Sequence, residues 1–166
     1  MAVDMLMKVE GPPIKGETKN KGSKTISQDG IDVLSWSWGV SNSGTTHMGS
    51  GSGAGRANFQ DLSIVTWYEK STNEFLKSAA SGTHHEKITL VNMKAGDKPL
   101  EYIILTLENC IITSISTGGS GGEDRLTVSL SINFEKFDIK YVEQDEKGGV
   151  KSEVPFKYDI GAQEKT

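Results

Sequence analysis

The chain has 166 residues, 35% of them hydrophobic, with 19 glycines and a formal net charge of −4. That length fits one domain, residues 1–166, able to bury a real core. The acidic balance argues against gripping a polyanion such as nucleic acid. A lone cysteine, Cys110, excludes an internal disulfide, and no apolar run approaches the ~20 residues of a membrane span.

Alternating segments dominate the chain. Val3, Met5, Met7 and Val9 share one face of a first strand. This N-terminus lacks the positive start and apolar run of a signal peptide, so cytoplasmic folding is expected, with any export by a route that needs no Sec signal. Residues 10–30 are rich in Gly, Lys, Thr and Ser and read as a polar loop. In 31–43 the parity shifts: Ile31 and Val33 share one face, then Leu34, Trp36, Trp38 and Val40 another, with Ser35 and Ser37 opposite. Segment 56–67 is an imperfect strand carrying Phe59, Leu62, Ile64 and Trp67.

One helix is predicted, over about 71–81. Ser71-Thr-Asn-Glu74 fits a capping box, Phe75, Leu76, Ala79 and Ala80 form an apolar stripe, and Gly82 terminates it. Strands follow at 85–93, 101–115, 126–141 and around 154–160. In the second of these Ile103, Leu105, Leu107, Ile111 and Ile115 share a parity. In the third, Leu126 to Phe134 alternate with Thr127, Ser129, Ser131 and Asn133, and a parity change at Glu135-Lys136 predicts a β-bulge. Lys147-Gly-Gly-Val150 reads as a hairpin turn, and Pro155 places the last strand at an edge or interface. Seven or eight strands and one helix make a mainly β fold: a β-barrel or closed sandwich of two antiparallel sheets with one flanking helix.

No catalytic, cofactor or metal constellation emerges. The glycine clusters 49–55 and 118–122 lack Gly-Lys-[Ser/Thr] and a following helix, so they are not phosphate loops. Gly118-Gly-Ser-Gly-Gly122 matches a nucleophile elbow in letters only, because a strand follows it. His47, His84 and His85 have no metal-ligand spacing. Cys110 reads as a small side chain within a sheet. Trp36-Ser-Trp38 has two readings: core tryptophans with a solvent-facing serine, or a Ser37 that faces a polar surface enclosed by several subunits.

Several blocks in order carry a family resemblance: Met1-Ala-Val-Asp-Met5, Ile31-Asp-Val-Leu-Ser-Trp-Ser-Trp-Gly39, His47-Met-Gly49, Gly53-Ala-Gly55, Gln60-Asp-Leu-Ser63, Lys70-Ser-Thr72 and Ser116-Thr-Gly-Gly-Ser-Gly-Gly-Glu-Asp-Arg-Leu-Thr127. The chain resembles the haemolysin-coregulated protein (Hcp) family, the tube protein of the bacterial type VI secretion system. That resemblance implies a homohexameric ring, stacked into a tube inside a contractile sheath and pushed from the cell on contraction. It also implies small effectors held in the ring lumen, partners in the sheath and spike tip, and no membrane insertion. Ser37, with Ser35 beside it, matches the family's lumen position. His47, Met48, Gly49, Gly53 and Gly55 match a ring-stacking loop, and Glu123, Asp124 and Arg125 are expected to anchor a loop or touch a neighbouring subunit. The glycines of 118–122 would then allow tight turns and close backbone approach. Residues 10–30 look longer than in compact members, and 143–166 extends past where those stop. The alternative is a stand-alone small β-barrel that binds a ligand or acts as an enzyme.

Overall fold

A computed structural model describes residues 3–44 and 56–165. In chain order the elements are β1 (Val3–Glu10), β2 (Ile31–Ser37), β3 (Val40–Asn42), β4 (Ala57–Phe59), β5 (Leu62–Trp67), α1 (Lys70–Ser81), β6 (His84–Lys94), β7 (Leu100–Thr117), β8 (Thr127–Gln144), β9 (Val150–Asp159) and β10 (Glu164–Lys165). Antiparallel pairing runs β8-β5-β2-β1-β6-β7 and returns from β7 to β8, which closes a six-stranded barrel. Closure removes most of the unpaired strand edges that an open sheet would present. β3 and β4 form a separate two-stranded sheet.

β8 serves two neighbours in succession. Thr127 to Ile132 pair with β5, and Lys136 to Gln144 pair with β9, while β7 lies along the other side. The expected bulge at Glu135-Lys136 is a different device. Cys110 faces Phe134 and Glu108 faces Lys136, two steps on each strand, so no residue has been inserted. Both strands change face together. Asn109 adopts φ 52° and its amide donates to Glu135 Oε2 at 2.7 Å. The buried residues of β7 therefore switch from Leu105 and Leu107 to Cys110 and Ile112, and Ile111 is left half-buried. The true register shifts lie elsewhere. They fall at Leu34, where the sequence parity shift placed one, at Tyr102 and Thr113 on β7, and at Lys151 on β9.

The core gathers Met7, Val9, Ile31, Leu62, Ile64, Ile88, Leu90, Leu105, Leu107, Leu130, Ile132 and Phe137 inside the barrel. Phe75 of α1 joins this core at 1% exposure. The helix starts two residues before the predicted capping box. Glu69 is the N-cap, its N–H donates to Thr72 Oγ1 at 3.1 Å, and the Ser71 hydroxyl donates to its carboxylate at 2.6 Å. Gly82 ends the helix in the left-handed region at φ 66°. The buried face is Ser71, Thr72, Phe75 and Ser78, with Leu76 and Ala80 turned outward. That rotation brings Ser78 Oγ within 3.1 Å of His85 Nε2, whose Nδ1 donates to the Pro12 carbonyl at 2.8 Å. A carbonyl only accepts, so the contact fixes the proton on Nδ1.

Residues 10–30 are polar in composition but seated like a strap. Ile14 is buried in the main core, and Ile26 packs with Leu6, Val91 and Met93 in a second cluster on the outer face of the sheet. Gly16 and Gly30 touch: a Cβ on Gly16 would lie 2.1 Å from the Gly30 carbonyl oxygen. Glu101 holds the middle of the strap, accepting from Ser23 Oγ at 3.0 Å, the Thr25 N–H at 2.9 Å, the Lys24 N–H and the Thr25 hydroxyl. Glu17 and Glu69 exchange with the helix start: Glu17 N–H donates to Glu69, and Lys70 N–H donates to Glu17, both at 2.9 Å.

β9 lies at an edge, as Pro155 requires. It pairs with β8 on one side, and β10 covers only Tyr158 and Asp159 on the other. On the outer face, residues opposite one another across five strands alternate in sign: Glu10, Lys87, Glu108, Lys136 and Asp159.

Candidate functional site: a hydroxyl-lined sheet face

The four strands β2, β5, β8 and the end of β7 form one stretch of barrel wall whose outer surface is small and polar. Its origin is local. On β5, Leu62, Ile64 and Thr66 point inward and Ser63, Val65 and Trp67 point outward, the period-two pattern of a half-buried strand. On β2 the Leu34 irregularity turns Trp36 toward the core, where Nε1 donates to Asn92 Oδ1 at 3.0 Å, and leaves Ser35 and Ser37 exposed. Trp38 Nε1 donates to the Gln60 carbonyl at 2.8 Å, and its ring meets Phe137 at 4.8 Å. Both tryptophans are thus half-buried supports beneath the serines.

Register assembles these serines into rows. Ser37 faces Ser63, Ser63 faces Ser131, and Ser131 faces Ser114, an unbroken line across four strands. The adjacent row runs Ser35, Val65, Ser129, Ser116. At the β7 bulge the extra residue, Thr113, is exposed beside Ser114. The Thr113 hydroxyl lies 2.8 Å from Ser131 Oγ and donates to Asp61 Oδ2 at 2.8 Å, while Asn133 Nδ2 donates to Asp61 Oδ1 at 2.9 Å. Ser114 and Ser131 hydroxyls are 2.5 Å apart. At the other end, the Arg125 guanidinium stacks 4.6 Å over the Trp67 ring. Thr127 faces Trp67, and its carbonyl accepts from the Thr117 hydroxyl at 3.0 Å.

The structure therefore brings together Ser35, Ser37, Ser129, Ser131 and Asn133 with three serines that the sequence reading missed: Ser63, Ser114 and Ser116. Asp61 and Thr113 were missed too. The alternation of Ser63 with Leu62 and Ile64 was the available signal. Glu123 and Asp124 are exposed in the β7–β8 connection, where Glu123 N–H donates to the Ser120 carbonyl at 3.1 Å. His47, Met48, Gly49, Gly53 and Gly55 lie outside the described residues. The glycines of 118–122 serve a tight turn, in which the Glu123 N–H reaches back to the Ser120 carbonyl across Gly121 and Gly122, and a Cβ at Gly119 would lie 3.2 Å from Leu126. Positive φ occurs at Gly11, Gly82, Gly96 and Gly148 among the described glycines, and not in this run. A Cβ at Gly118, Gly121 or Gly122 would meet nothing within 4 Å.

Three carboxyl or thiol groups are tuned, and none belongs to a reactive site. Burial pushes the Cys110 thiol up to about 12, so it is protonated at neutral pH. Burial raises Glu69 above the ordinary carboxyl value, against the opposing hydrogen bonds from Ser71 and Glu17. Burial pushes Glu101 upward too, but the Thr25, Ser23 and Lys24 hydrogen bonds outweigh it and hold its pKa below the ordinary value. Among the described residues no group of three or more His, Cys, Asp or Glu side chains could hold a metal ion.

A closed six-stranded barrel with one flanking helix and a hydroxyl-lined outer wall defines a small antiparallel β-barrel protein. The family model described as type VI secretion system effector, Hcp, matches residues 6–141, and the chain belongs to that family. It is 45% identical over 159 residues to Protein hcp1 of Pseudomonas aeruginosa, spanning 95% of this chain and 94% of that one. The crystal structure of Hcp1 from Salmonella typhimurium aligns at a TM-score of 0.79 and 29% identity, covering 100% of both chains. Residues 143–165 thus fall within the fold shared with that protein. A structure of a type six secretion system protein aligns at a TM-score of 0.88 and 23% identity over 99% of this chain and 100% of that one, which supports the fold.

Proposed function

We propose that this chain is a structural tube subunit that forms hexameric rings, stacks them into the inner tube of a type VI secretion system, and leaves the cell when the sheath contracts. The same rings hold small effectors in their lumen, with the face around Ser35 and Ser37 turned inward. The protein acts by assembly and holding, not by catalysis. Before firing it resides in the cytoplasm, and its further partners are the sheath and spike-tip proteins. His47, Met48, Gly49, Gly53 and Gly55 supply the contact between rings. Glu123, Asp124 and Arg125 act at the subunit boundary or anchor the loop beside it.

The observation that carries this reading is the unbroken serine row across β2, β5, β8 and β7. A wall facing a water-filled channel needs side chains that are small and hydrated, and this stretch has them, whereas the row across β1, β6, β7, β8 and β9 carries charged ones. Electron microscopy and native mass spectrometry of the purified protein test the assembly: six-fold rings are expected, and a monodisperse monomer refutes it. For cargo, Ser37→Gln leaves rings intact and weakens effector co-purification; unchanged co-purification removes Ser37 from the holding surface.

A further inference from the structure

We propose that residues 17–29 form a lid, hinged where Gly16 meets Gly30 and latched at its tip by Glu101, that opens in acid and uncovers an apolar seat on the outer face of the barrel. The device lies within one chain and stands whether or not rings form.

The hinge is a closed neck. The Gly16 N–H donates to the Asp29 carbonyl at 3.0 Å and the Thr18 N–H to the Gly30 carbonyl at 3.1 Å, as in a compact surface loop whose ends meet. Ile26 is the one hydrophobic residue between 17 and 29. It fills a seat made by Leu6, Val91 and Met93, against which Ile104 packs. A loop with one buried apolar side chain has little hold of its own, so the latch decides whether it stays shut. Glu101 Oε1 accepts from the Ser23 hydroxyl and from the Lys24 and Thr25 N–H groups, and Oε2 accepts from the Thr25 hydroxyl. Charged groups stand around this carboxylate without replacing those donors. Lys24 on the lid, Lys140 on β8 and Glu153 on β9 line one cleft with it, and the last two pair at 3.8 Å. Asp4 on β1 shares its cross-strand row through Met93, and Lys94 on β6 donates to Gln144 at 2.7 Å. Asp97 and Lys98 stand in the β6–β7 connection. Among the described residues no lysine or arginine forms an ion pair with Glu101.

The tip and the root of the lid answer acid in opposite senses. At the tip, burial pushes Glu101 upward, but the Thr25, Ser23 and Lys24 hydrogen bonds outweigh it and hold the pKa below the ordinary value. Its contribution is therefore present above the ordinary carboxyl range and lost as pH falls through the folded value. A protonated Glu101 still accepts, but without the charge that makes such bonds about twice as strong. At the root, Glu69 accepts from the Glu17 N–H and the Ser71 hydroxyl. Burial raises its pKa, so the folded chain favours the protonated form. That contribution is present below the ordinary carboxyl range and lost as pH rises through the raised value. Acid thus frees the tip while the root tightens, and the lid swings instead of detaching.

Hydrogen peroxide reads the opening through two methionines. Met93 lies under the lid and Met7 in the barrel core, at 1% and 0% exposure. Peroxide passes one oxygen to the thioether and leaves as water; a thioether carries no titrating proton, so its own reactivity holds across the pH range. The purified full chain is oxidised at steps from neutral pH to about pH 3, and each methionine is quantified by peptide mass spectrometry. Met93 oxidation is expected to quicken at least about tenfold below about pH 4, while Met7 stays protected. Glu101→Gln, uncharged throughout, should quicken Met93 by a similar factor at neutral pH and abolish its acid response. Glu69→Gln should leave that response in place. If Glu101→Gln does not fold, Thr25→Val removes one latch hydroxyl and should quicken Met93 about threefold at neutral pH. Met93 and Met7 quickening together would mean that the chain opens as a whole, and overturns the inference. A Met93 that stays protected in acid overturns it too, as does an acid response that survives in Glu101→Gln.

Discussion

Replacing Glu101 with alanine should release the strap of residues 10–30 from the barrel. Four donors converge on that carboxylate: Ser23 Oγ, the Lys24 N–H, the Thr25 N–H and the Thr25 hydroxyl. Charge-assisted bonds are worth about 1.5–3 kcal/mol when buried. This cluster is half-exposed and water replaces part of each bond, so about 0.5–1 kcal/mol apiece is the fair scale, or about 2–4 kcal/mol together. For a chain of this length that lowers Tm by roughly 5–12 °C. Urea unfolding should show a lower midpoint with an unchanged slope, and amide exchange should quicken at Lys24 and Thr25 first. The pH dependence has a definite sign. Glu101 has a folded pKa below its unfolded value, so its contribution is present above the ordinary carboxyl range and is lost as pH falls through the folded pKa. Glu101→Gln should flatten that acid limb. A loss below about 0.5 kcal/mol for Glu101→Ala, or an acid limb identical in Glu101→Gln, would refute the reasoning.

Other expectations follow from single contacts. Gly16→Ala drives a methyl group into the Gly30 carbonyl and should cost about 2–3 kcal/mol in chemical denaturation; a neutral result would mean that the strap moves freely. Phe75→Ala empties the place where α1 joins the core and should cost about 3–5 kcal/mol by the same measurement. Cys110 should resist thiol reagents at neutral pH until the chain is unfolded, as titrated by absorbance with and without denaturant. Arg125→Ala should cost no more than about 1 kcal/mol, because an exposed guanidinium–indole stack is weak.

Strand parity was readable because it is local. The Leu34 shift, the helix end at Gly82 and the edge position of the Pro155 strand all follow from a few neighbouring residues. The helix face was not, since Phe75, Leu76, Ala79 and Ala80 satisfy an apolar stripe, whereas the real face is chosen by distant partners, Glu17 and His85. The strap was illegible for the same reason: Thr25 meets Glu101 across 76 residues, and no periodicity encodes that meeting. At Glu135-Lys136 a parity change was visible but its cause was not, because the compensating residue, Asn109, lies on another strand. The serine row shows both sides. Ser35, Ser37, Ser129 and Ser131 stand out within their own strands, but only register reveals that Ser63 and Ser114 complete the line.

The alternating Glu10-Lys87-Glu108-Lys136-Asp159 row also has a meaning at a distance. Opposite signs one strand apart, about 4.8 Å, cancel within a spacing shorter than the screening length of about 8 Å in physiological salt. From afar that row shows only its one unmatched negative charge. On contact it becomes a printed code, attractive to a surface carrying the complementary order and repulsive when that surface slips by a single strand.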